Sequence, residues 1–422
     1  MTRIPVTPPA TGPARQAFAW LWLVAFLFLV FTRSTVTPPH PAVFPLLTLS
    51  GLAYAWTTSR SQLIGLVQGH RWLWLSLAVF VAAITCSEII AHFNGVKGLA
   101  PLLPIPVWLV LCLPALTVIV LDPARMRLAI GLFAVICIWH FFTMPIEAVT
   151  GTRLSWQPIE LFPRAAGPLN YQASGLAWQA YYFPGLFLPL FYLAWGPLSE
   201  GRIARWPALP KGAWALLAMA WGLPAVCVQS RSAFAGALAA GLLALIAYRR
   251  PRQARTWLAL GILLLIGVLS YWYLFSANKS GMDLRWAYYK LYLAESMKWP
   301  AILIGHGFTL VANEAMFVKG LTPLEHSHND LIQSLYSWGT VALVAYLVFW
   351  GALIRMVWKD FAARGRFWPA CALLIFIPST ITDLGFQHFE KAAFLMLLVS
   401  WCLVFSEGPY ARIDASPDPE SE

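Results

Sequence analysis

Residues 325–354, EHSHNDLIQSLYSWGTVALVAYLVFWGALI, place a polar, titratable cluster directly before an apolar run that is long enough to cross a bilayer. The cluster contains His326, His328, Asn329 and Asp330. Membrane proteins seldom place ionisable groups beside a span without a use, because their burial is costly. The stretch therefore predicts a membrane helix with a functional cluster at its N-terminal end.

Composition places the whole chain among helical membrane proteins. Of its 422 residues 59% are hydrophobic and only 11% are charged, whereas a soluble domain carries roughly a quarter charged residues. The mean hydropathy is +0.66. We predict an all-α polytopic membrane fold with about twelve transmembrane helices, since each span needs roughly 20 apolar residues. The apolar runs lie near 17–32, 41–57, 72–93, 102–121, 127–145, 175–196, 212–229, 232–248, 257–275, 331–354, 367–382 and 390–406.

Lysine and arginine determine the predicted orientation. Most of these 29 residues fall on one side of the membrane, in short loops such as RRPRQAR at 249–255 and RMVWKDFAARGR at 355–366. Because cytoplasmic loops carry such an excess, both termini are predicted to be cytoplasmic. The same distribution accounts for the net charge of +11, so we do not expect nucleic acid as a partner.

The chain is expected to form a single membrane domain over residues 1–422. A large outer loop is predicted at 276–330, and it contains DLRWAYYKLYLAESMKW at 283–299. The helical spacing of its aromatic and aliphatic residues predicts an amphipathic helix that lies on the lipids of the outer leaflet. The acidic, Pro-containing tail at 407–422 is predicted to be disordered.

The six cysteines lie far apart within the apolar runs, and no two form a CxxC pair. We therefore predict no disulfide and no thiolate metal site. Small buried core residues are the expected role.

Among the arginines on the predicted outer side, where the positive-inside rule disfavours them, four are candidates for a function: Arg153, Arg164, Arg231 and Arg285. A guanidinium binds phosphate oxygens bidentately and stays charged at any working pH. The alternative is that these side chains reach lipid headgroups or pair with nearby carboxylates. We favour that ordinary role for Arg153. A function is favoured for Arg231, which lies in a very short turn, and for Arg285, which begins the amphipathic helix.

The histidine cluster is interpreted as a source of a general base. Ser327 or Asn329 can cap the helix that begins near Asp330. The positive end of that helix and the nearby arginines disfavour imidazolium, so a histidine there should be neutral, as a base must be. The alternatives are a structural histidine pair or a zinc site formed by His326, His328 and a carboxylate. A ring of arginines would repel a dication, and we predict no metal.

Several segments, taken in order, resemble the O-antigen ligase and polymerase superfamily of bacterial envelope enzymes. They are RAAGPLNYQASGL at 164–176, SRSAFAGALAAG at 230–241, the segment ending in GHGF at 305–308, and HSHNDLIQSLYSWG at 326–339. In that family a His-Asn/Ser pair is followed by nine residues and a glycine. His328, Asn329 and Gly339 fit this spacing and His326 does not. A small-residue position further on is occupied by Ala342, and Ser337 and Trp338 stand where the family often has an acidic residue.

The resemblance implies a metal-independent, inverting glycosyltransferase with a GT-C-like fold and no cofactor, in the bacterial inner membrane with its active site facing the periplasm. The donor would be a glycan on undecaprenyl diphosphate, and the acceptor a sugar hydroxyl of lipid A–core. His328 would act as the general base. Arg231 and Arg285, helped by Arg164, would bind the diphosphate. Asn329, Asp330 or His326 would orient the imidazole, a choice that stays open.

Other functions remain as alternatives. An O-antigen polymerase or a protein O-oligosaccharyltransferase would use the same donor and similar residues. A lipid-linked-sugar flippase belongs to a different class, and transporters of this kind have helices broken near the midplane. The expected gathering of polar groups at one face argues for an enzyme.

Overall fold

The structure, a computed structural model, describes residues 12–35, 42–93, 105–154, 171, 173, 183, 185–199, 221–228, 230–249, 256, 279–307, 327, 329–381 and 389–407. Within these residues there are α-helices and no β-strand, which confirms the all-α prediction. The helices are α1 (Pro13–Thr35), α2 (Val43–Gly69), α3 (Arg71–Phe93), α4 (Ile105–Val120), α5 (Pro123–Thr150), α6 (Phe187–Ser199), α7 (Gly222–Cys227), α8 (Arg231–Arg249), α9 (Lys279–Ser296), α10 (Ala301–Ile304), α11 (Asp330–Arg364), α12 (Trp368–Ile381) and α13 (Phe389–Glu407).

Several of these helices have the length and composition of membrane spans. Four are long and apolar enough to cross a bilayer, at Pro13–Phe31, Arg71–Phe93, Pro123–Thr150 and Asp330–Arg364. Shorter apolar helices occupy Val107–Val120, Ala233–Ala247, Trp368–Thr380 and Lys391–Phe405. The chain is therefore a helical, multi-pass membrane protein.

The number of spans stays a prediction. The apolar run at 257–275 lies outside the described residues, and so do residues 308–326 of the large loop and the tail at 408–422.

Local sequence signals explain where several helices begin and end. The carboxylate of Asp122 caps α5 by accepting from the amide of Ala124 at 2.8 Å, and proline follows the cap at the first helical position. Gly151 ends α5 in the left-handed conformation, with φ 73° and its amide bonded to the carbonyl of Glu147. Gly365 ends α11 in the same way, with φ 67°.

The run predicted near 41–57 lies in α2, which continues beyond it to Gly69 through a non-helical residue at Ser59. One expectation from the sequence needs correction. Five of the six cysteines are buried, as core residues should be, whereas Cys86 is exposed. Cys86 lies on the outward face of α3, because the neighbouring Ser87 and Glu88 face the bundle.

Contacts between helices show which helix ends lie together. The Sγ of Cys371 in α12 donates to the carbonyl of Ala240 in α8 at 3.4 Å. The buried Lys391 near the start of α13 donates to the carbonyl of Ser379 near the end of α12 at 3.0 Å. The amide of Tyr171 donates to the carbonyl of Ala148 in the last turn of α5 at 3.2 Å, and the amide of Ala173 donates to the carbonyl of Cys227 at the end of α7, just before α8, at 3.0 Å. One end of the bundle, called the site end below, therefore gathers the last turns of α5 and α12 with the first turns of α8 and α13.

The opposite end carries a buried arginine. Arg366, which follows α11, is fully buried and donates to the carbonyl of Phe405 at 2.6 Å, in the last turns of α13. Its second partner is the carboxylate of Asp360, at 3.3 Å. A positive charge is favourable at a helix C-terminus, so this contact holds α11 against the end of α13. The N-terminal part of α11 therefore points toward the site end.

Candidate functional site

The helix that follows the histidine cluster is broken at Gly339. This glycine has φ 78° and ψ −178°, a conformation that is essentially restricted to glycine. The hydroxyl of Tyr346 nevertheless donates to the carboxylate of Asp330, 16 positions earlier in the chain. In a straight helix about 24 Å would separate these two residues along the axis. Residues 330–338, called the re-entrant segment below, must therefore fold back beside the helix that continues from residue 340.

This fold-back carries Asp330 into the bundle. The ring of Tyr346 stacks on Phe80 at 5.3 Å, and Phe80 also contacts the edge of Trp338 at 5.7 Å. Phe80 lies near the middle of α3. Asp330 is only 2% exposed, and it meets Tyr346 beside the middle of a predicted span.

The prediction of one continuous helix over 331–354 is therefore wrong, whereas the position of His326 and His328 relative to the membrane surface stays a prediction. The spanning part of α11 begins only after the break, because Gly339 reverses the chain there. The re-entrant segment then returns its first residues to the interior.

The start of the re-entrant segment is held by a small hydrogen-bonded turn. The side chain of Asn329 accepts from the amides of Leu331 and Ile332, both at 3.1 Å, which confirms Asn329 as the cap. Ser327 is buried, its amide donates to Gln333 Oε1 at 2.8 Å, and its hydroxyl donates to the carbonyl of Asn329 at 2.9 Å. The residues on both sides of position 328 are therefore fixed.

The far end of the re-entrant segment is bound by residues 301–307, called the strap below. The break at Gly339 leaves helix carbonyls without their usual partners four residues on. The amide of His306 donates to the carbonyl of Tyr336 at 2.9 Å, and the amide of Gly307 donates to that of Ser337 at 2.8 Å. The strap thus satisfies the carbonyls that the break exposes.

Two glycines allow this close approach. A Cβ atom on Gly339 would overlap the carbonyl of Leu303, and one on Gly305 would overlap the carbonyl of Ser337. The hydroxyl of Thr340 adds a bond to the carbonyl of Ile302 at 2.6 Å. The GHG motif at 305–307 and Gly339 belong to two separate segments of the family resemblance. In the structure these two segments contact each other.

Helix α3 supplies two polar residues to the same junction. The hydroxyl of Ser87 donates to the carbonyl of Ser337 at 2.8 Å and accepts from the amide of Gly307 at 3.2 Å. The buried carboxylate of Glu88 accepts from the indole N–H of Trp338 at 3.1 Å. Sequence reasoning assigned no role to Ser87 or Glu88. The polarity of this pair inside an apolar helix was the available signal.

The predicted amphipathic helix exists as α9, and its apolar face packs on protein. Tyr288, Leu291 and Tyr292 are buried with Tyr336, and the rings of Tyr292 and Tyr336 are 4.8 Å apart. Trp286 stays 48% exposed on another face, available for contact with lipid. α9 therefore contacts the re-entrant segment directly. It is also connected to that segment through the strap, which follows α9 in the chain.

The other predicted site residues are only partly described. Arg231 is the first residue of α8 at the site end, and Arg285 lies in α9. Their backbones are described and their side chains are not. Arg164, His326 and His328 lie outside the described residues. The convergence of these five side chains stays a prediction. The structure does show that α9, which carries Arg285, contacts the re-entrant segment through Tyr292 and Tyr336.

The structure buries Arg153, for which the sequence favours an ordinary role, close to a carboxylate. Its side chain is 2% exposed and interacts electrostatically with the buried Glu147. Burial lowers the pKa of the Arg153 guanidinium, and the carboxylate of Glu147 opposes that change. Glu147 also accepts from the amide of Leu154 at 2.9 Å, which ties the loop to the end of α5.

No group of three or more His, Cys, Asp or Glu side chains in the described part of the chain could hold a metal ion. His326 and His328 were the histidines proposed as zinc ligands, and they fall outside that part.

One comparison with known proteins gives a family match over part of the chain. Residues 214–347 match the sequence model of the family described as O-antigen ligase, which confirms the resemblance to the O-antigen ligase and polymerase superfamily. The matched segment contains Arg231, Arg285, His328 and Gly339, whereas Arg164 lies before it. No curated protein shows a significant match to the chain. The family match supports ligase-type transfer of a lipid-linked glycan in a broad sense.

Proposed function

We propose that the protein is an O-antigen ligase, which transfers a glycan from undecaprenyl diphosphate to a sugar hydroxyl of lipid A–core. The family match over residues 214–347 is the observation that carries this proposal, because it covers the predicted base and two of the three predicted arginines. The geometry adds support, since a turn buried in the bundle holds both neighbours of position 328.

In the proposed reaction the acceptor hydroxyl attacks C1 of the donor sugar from the face opposite the diphosphate. His328 takes the hydroxyl proton as the C1–O bond to the diphosphate breaks, and the anomeric centre is inverted. A positioned general base typically contributes about 10²- to 10⁴-fold to the rate. Arg231 and Arg285, with Arg164, would stabilise the charge that grows on the leaving diphosphate, so the reaction needs no metal.

The hydrogen bonds of two side chains favour an indirect way of orienting the imidazole. The Oδ1 of Asn329 accepts from two helix amides, and the Oδ2 of Asp330 accepts from Tyr346. Both side chains are already engaged in holding the backbone beside His328. We propose that they act mainly through that backbone.

The location of the enzyme follows from the same proposal. Its spans would lie in the bacterial inner membrane with both termini in the cytoplasm. The site end of the bundle would then face the periplasm, where the donor glycan and lipid A–core are both accessible. Membrane lipids would surround the exposed apolar faces of α3 and of α11 beyond the break.

Two kinds of alternative remain. A polymerase or a protein O-oligosaccharyltransferase would share the donor and the base. A lipid-linked-sugar flippase is favoured by one observation, since the broken α11 brings Asp330 beside the middle of α3, and transporters use such discontinuous helices. The break in α11 therefore weakens the argument that a gathering of polar groups at one face made against a flippase.

One assay separates these functions. Purified protein is incubated with an undecaprenyl-diphosphate glycan and, in separate reactions, with lipid A–core or with donor alone. Glycosylated lipid A–core and released undecaprenyl diphosphate are expected, and the His328→Ala variant should form neither. Lengthened glycan on the donor lipid would identify a polymerase. Movement of the donor across vesicles without any transfer would identify a flippase and refute the proposal.

A further inference from the structure

The re-entrant segment is clamped at both of its ends by residues that no catalytic role requires. At one end Tyr346 binds Asp330, and at the other Ser87 joins Ser337 to the strap. We infer that Tyr346 and Ser87 are positioning residues for the proposed base, because they hold the segment that begins at Asn329 and the helix that carries Arg285 in a fixed relation. This inference rests on the proposed function for its chemistry, although the clamps themselves are geometric.

The ring of Tyr346 is packed between two aromatic side chains, which restricts its movement. The side chain is 1% exposed and lies between Phe80, stacked at 5.3 Å, and Trp350, whose ring meets it edge-on at 6.1 Å. The hydroxyl is therefore held in place when it donates to Asp330, two residues from His328. Loss of this bond would free the start of the re-entrant segment from the spanning part of α11.

The Ser87 clamp connects three elements at one point. Its hydroxyl donates to Ser337 in the re-entrant segment and accepts from Gly307 in the strap, while Ser87 itself belongs to α3. The strap follows α9 in the chain, and the Nε2 of His306 lies 3.3 Å from the carbonyl of Glu295 in the last turn of α9. The hydroxyl therefore links the helix that carries Arg285 to the segment that follows His328.

The proposed reaction depends on the distances between the reacting groups. The acceptor hydroxyl must lie in line with the bond from C1 to the diphosphate, and the base must be within reach of the hydroxyl proton. A displacement of about 1 Å far from the reacting atoms can reduce a rate by about 100-fold. Loosening either clamp should therefore lower kcat more than it changes the KM for the donor. A purely structural role would instead lower the amount of folded protein without changing kcat per folded molecule.

The test compares Tyr346→Phe and Ser87→Ala with matched control substitutions elsewhere in the protein. Tyr346→Phe keeps the ring contacts and removes only the hydroxyl, and Tyr54→Phe in α2 is its control. Ser87→Ala is matched by Ser76→Ala, another buried serine of α3, whose hydroxyl bonds only locally to Leu73 at 2.9 Å. Hydrogen–deuterium exchange of peptides covering 301–307 and 327–338 is measured without substrate, and kcat and donor KM are measured per folded molecule.

We expect exchange in these peptides to rise about tenfold or more in both clamp variants, since Tyr346→Phe removes a bond to a carboxylate and Ser87→Ala removes two bonds. We also expect kcat to fall by about 10- to 100-fold with donor KM within about twofold of the original. Ser87→Thr, which keeps the hydroxyl, should recover most of the activity, and both controls should behave as the unchanged protein.

Unchanged exchange in both clamp variants would overturn the inference, and so would raised exchange with unaltered kcat. The result stays separate from the proposed function, because exchange needs no substrate. Transfer that survives in His328→Ala would refute the proposed chemistry while leaving the exchange result interpretable.

Discussion

Replacement of Gly339 by alanine should disrupt the junction between α11 and the strap. The new methyl group would overlap the carbonyl of Leu303, which is backbone and cannot rotate away. Alanine must also adopt φ 78° and ψ −178°, which only glycine tolerates. Either the strap moves away or α11 straightens, and both changes break the geometry around the re-entrant segment.

The expected loss of stability follows from the contacts at this point. The backbone conformation costs alanine about 1–3 kcal/mol. Movement of the strap also threatens the bonds from the amides of His306 and Gly307 and from the hydroxyl of Thr340, each of which is worth about 0.5–1.5 kcal/mol. We expect Gly339→Ala to lose about 2.5 kcal/mol or more of the free energy of unfolding.

Gly351→Ala is the matched control, because Gly351 lies in the same helix and an added Cβ atom meets no heavy atom within 4 Å. That change should be neutral or should stabilise the helix by up to about 1 kcal/mol. Both variants are purified in detergent, and the free energy of unfolding is measured by denaturant titration with tryptophan fluorescence. Equal stability of the two variants would refute the break at Gly339 and the fold-back derived from it.

Three further predictions concern the proposed chemistry. His328→Ala should leave a folded, membrane-inserted protein without transfer activity, and normal O-antigen on lipopolysaccharide in cells carrying only this variant would contradict the assigned base. Arg231→Lys should severely reduce turnover, because a point charge cannot grip a diphosphate bidentately, whereas near-normal turnover would indicate a structural arginine. EDTA should leave transfer by the purified protein intact, and loss of activity that added zinc restores would revive the metal site.

Local signals in the sequence predicted local features well. Asn329 was a candidate cap from its residue type and position, and it does cap α11. Asp122 and Gly151, which no prediction named, mark the ends of α5 by signals of the same local kind. The ordered motifs around Arg231 and His328 also led to the family that the match over residues 214–347 supports.

The break at Gly339 was missed for a physical reason. Gly339 and Gly351 both interrupt one apolar run, yet one breaks the helix and the other does not. Hydropathy averages over the length of a span and does not report backbone conformation. The difference depends on the strap, which lies more than 30 positions earlier in the chain.

The sequence by itself determined that this chain is a helical membrane protein, because apolar composition and terminal capping residues act locally along the chain. The tertiary structure alone decided that the cluster's Asp330 lies inside the bundle. That placement depends on pairings such as Tyr346 with Asp330 and Ser87 with Ser337. Such pairings form only after α3, the strap and α11 have packed together, since a buried polar group must find whichever partner the packing brings to it.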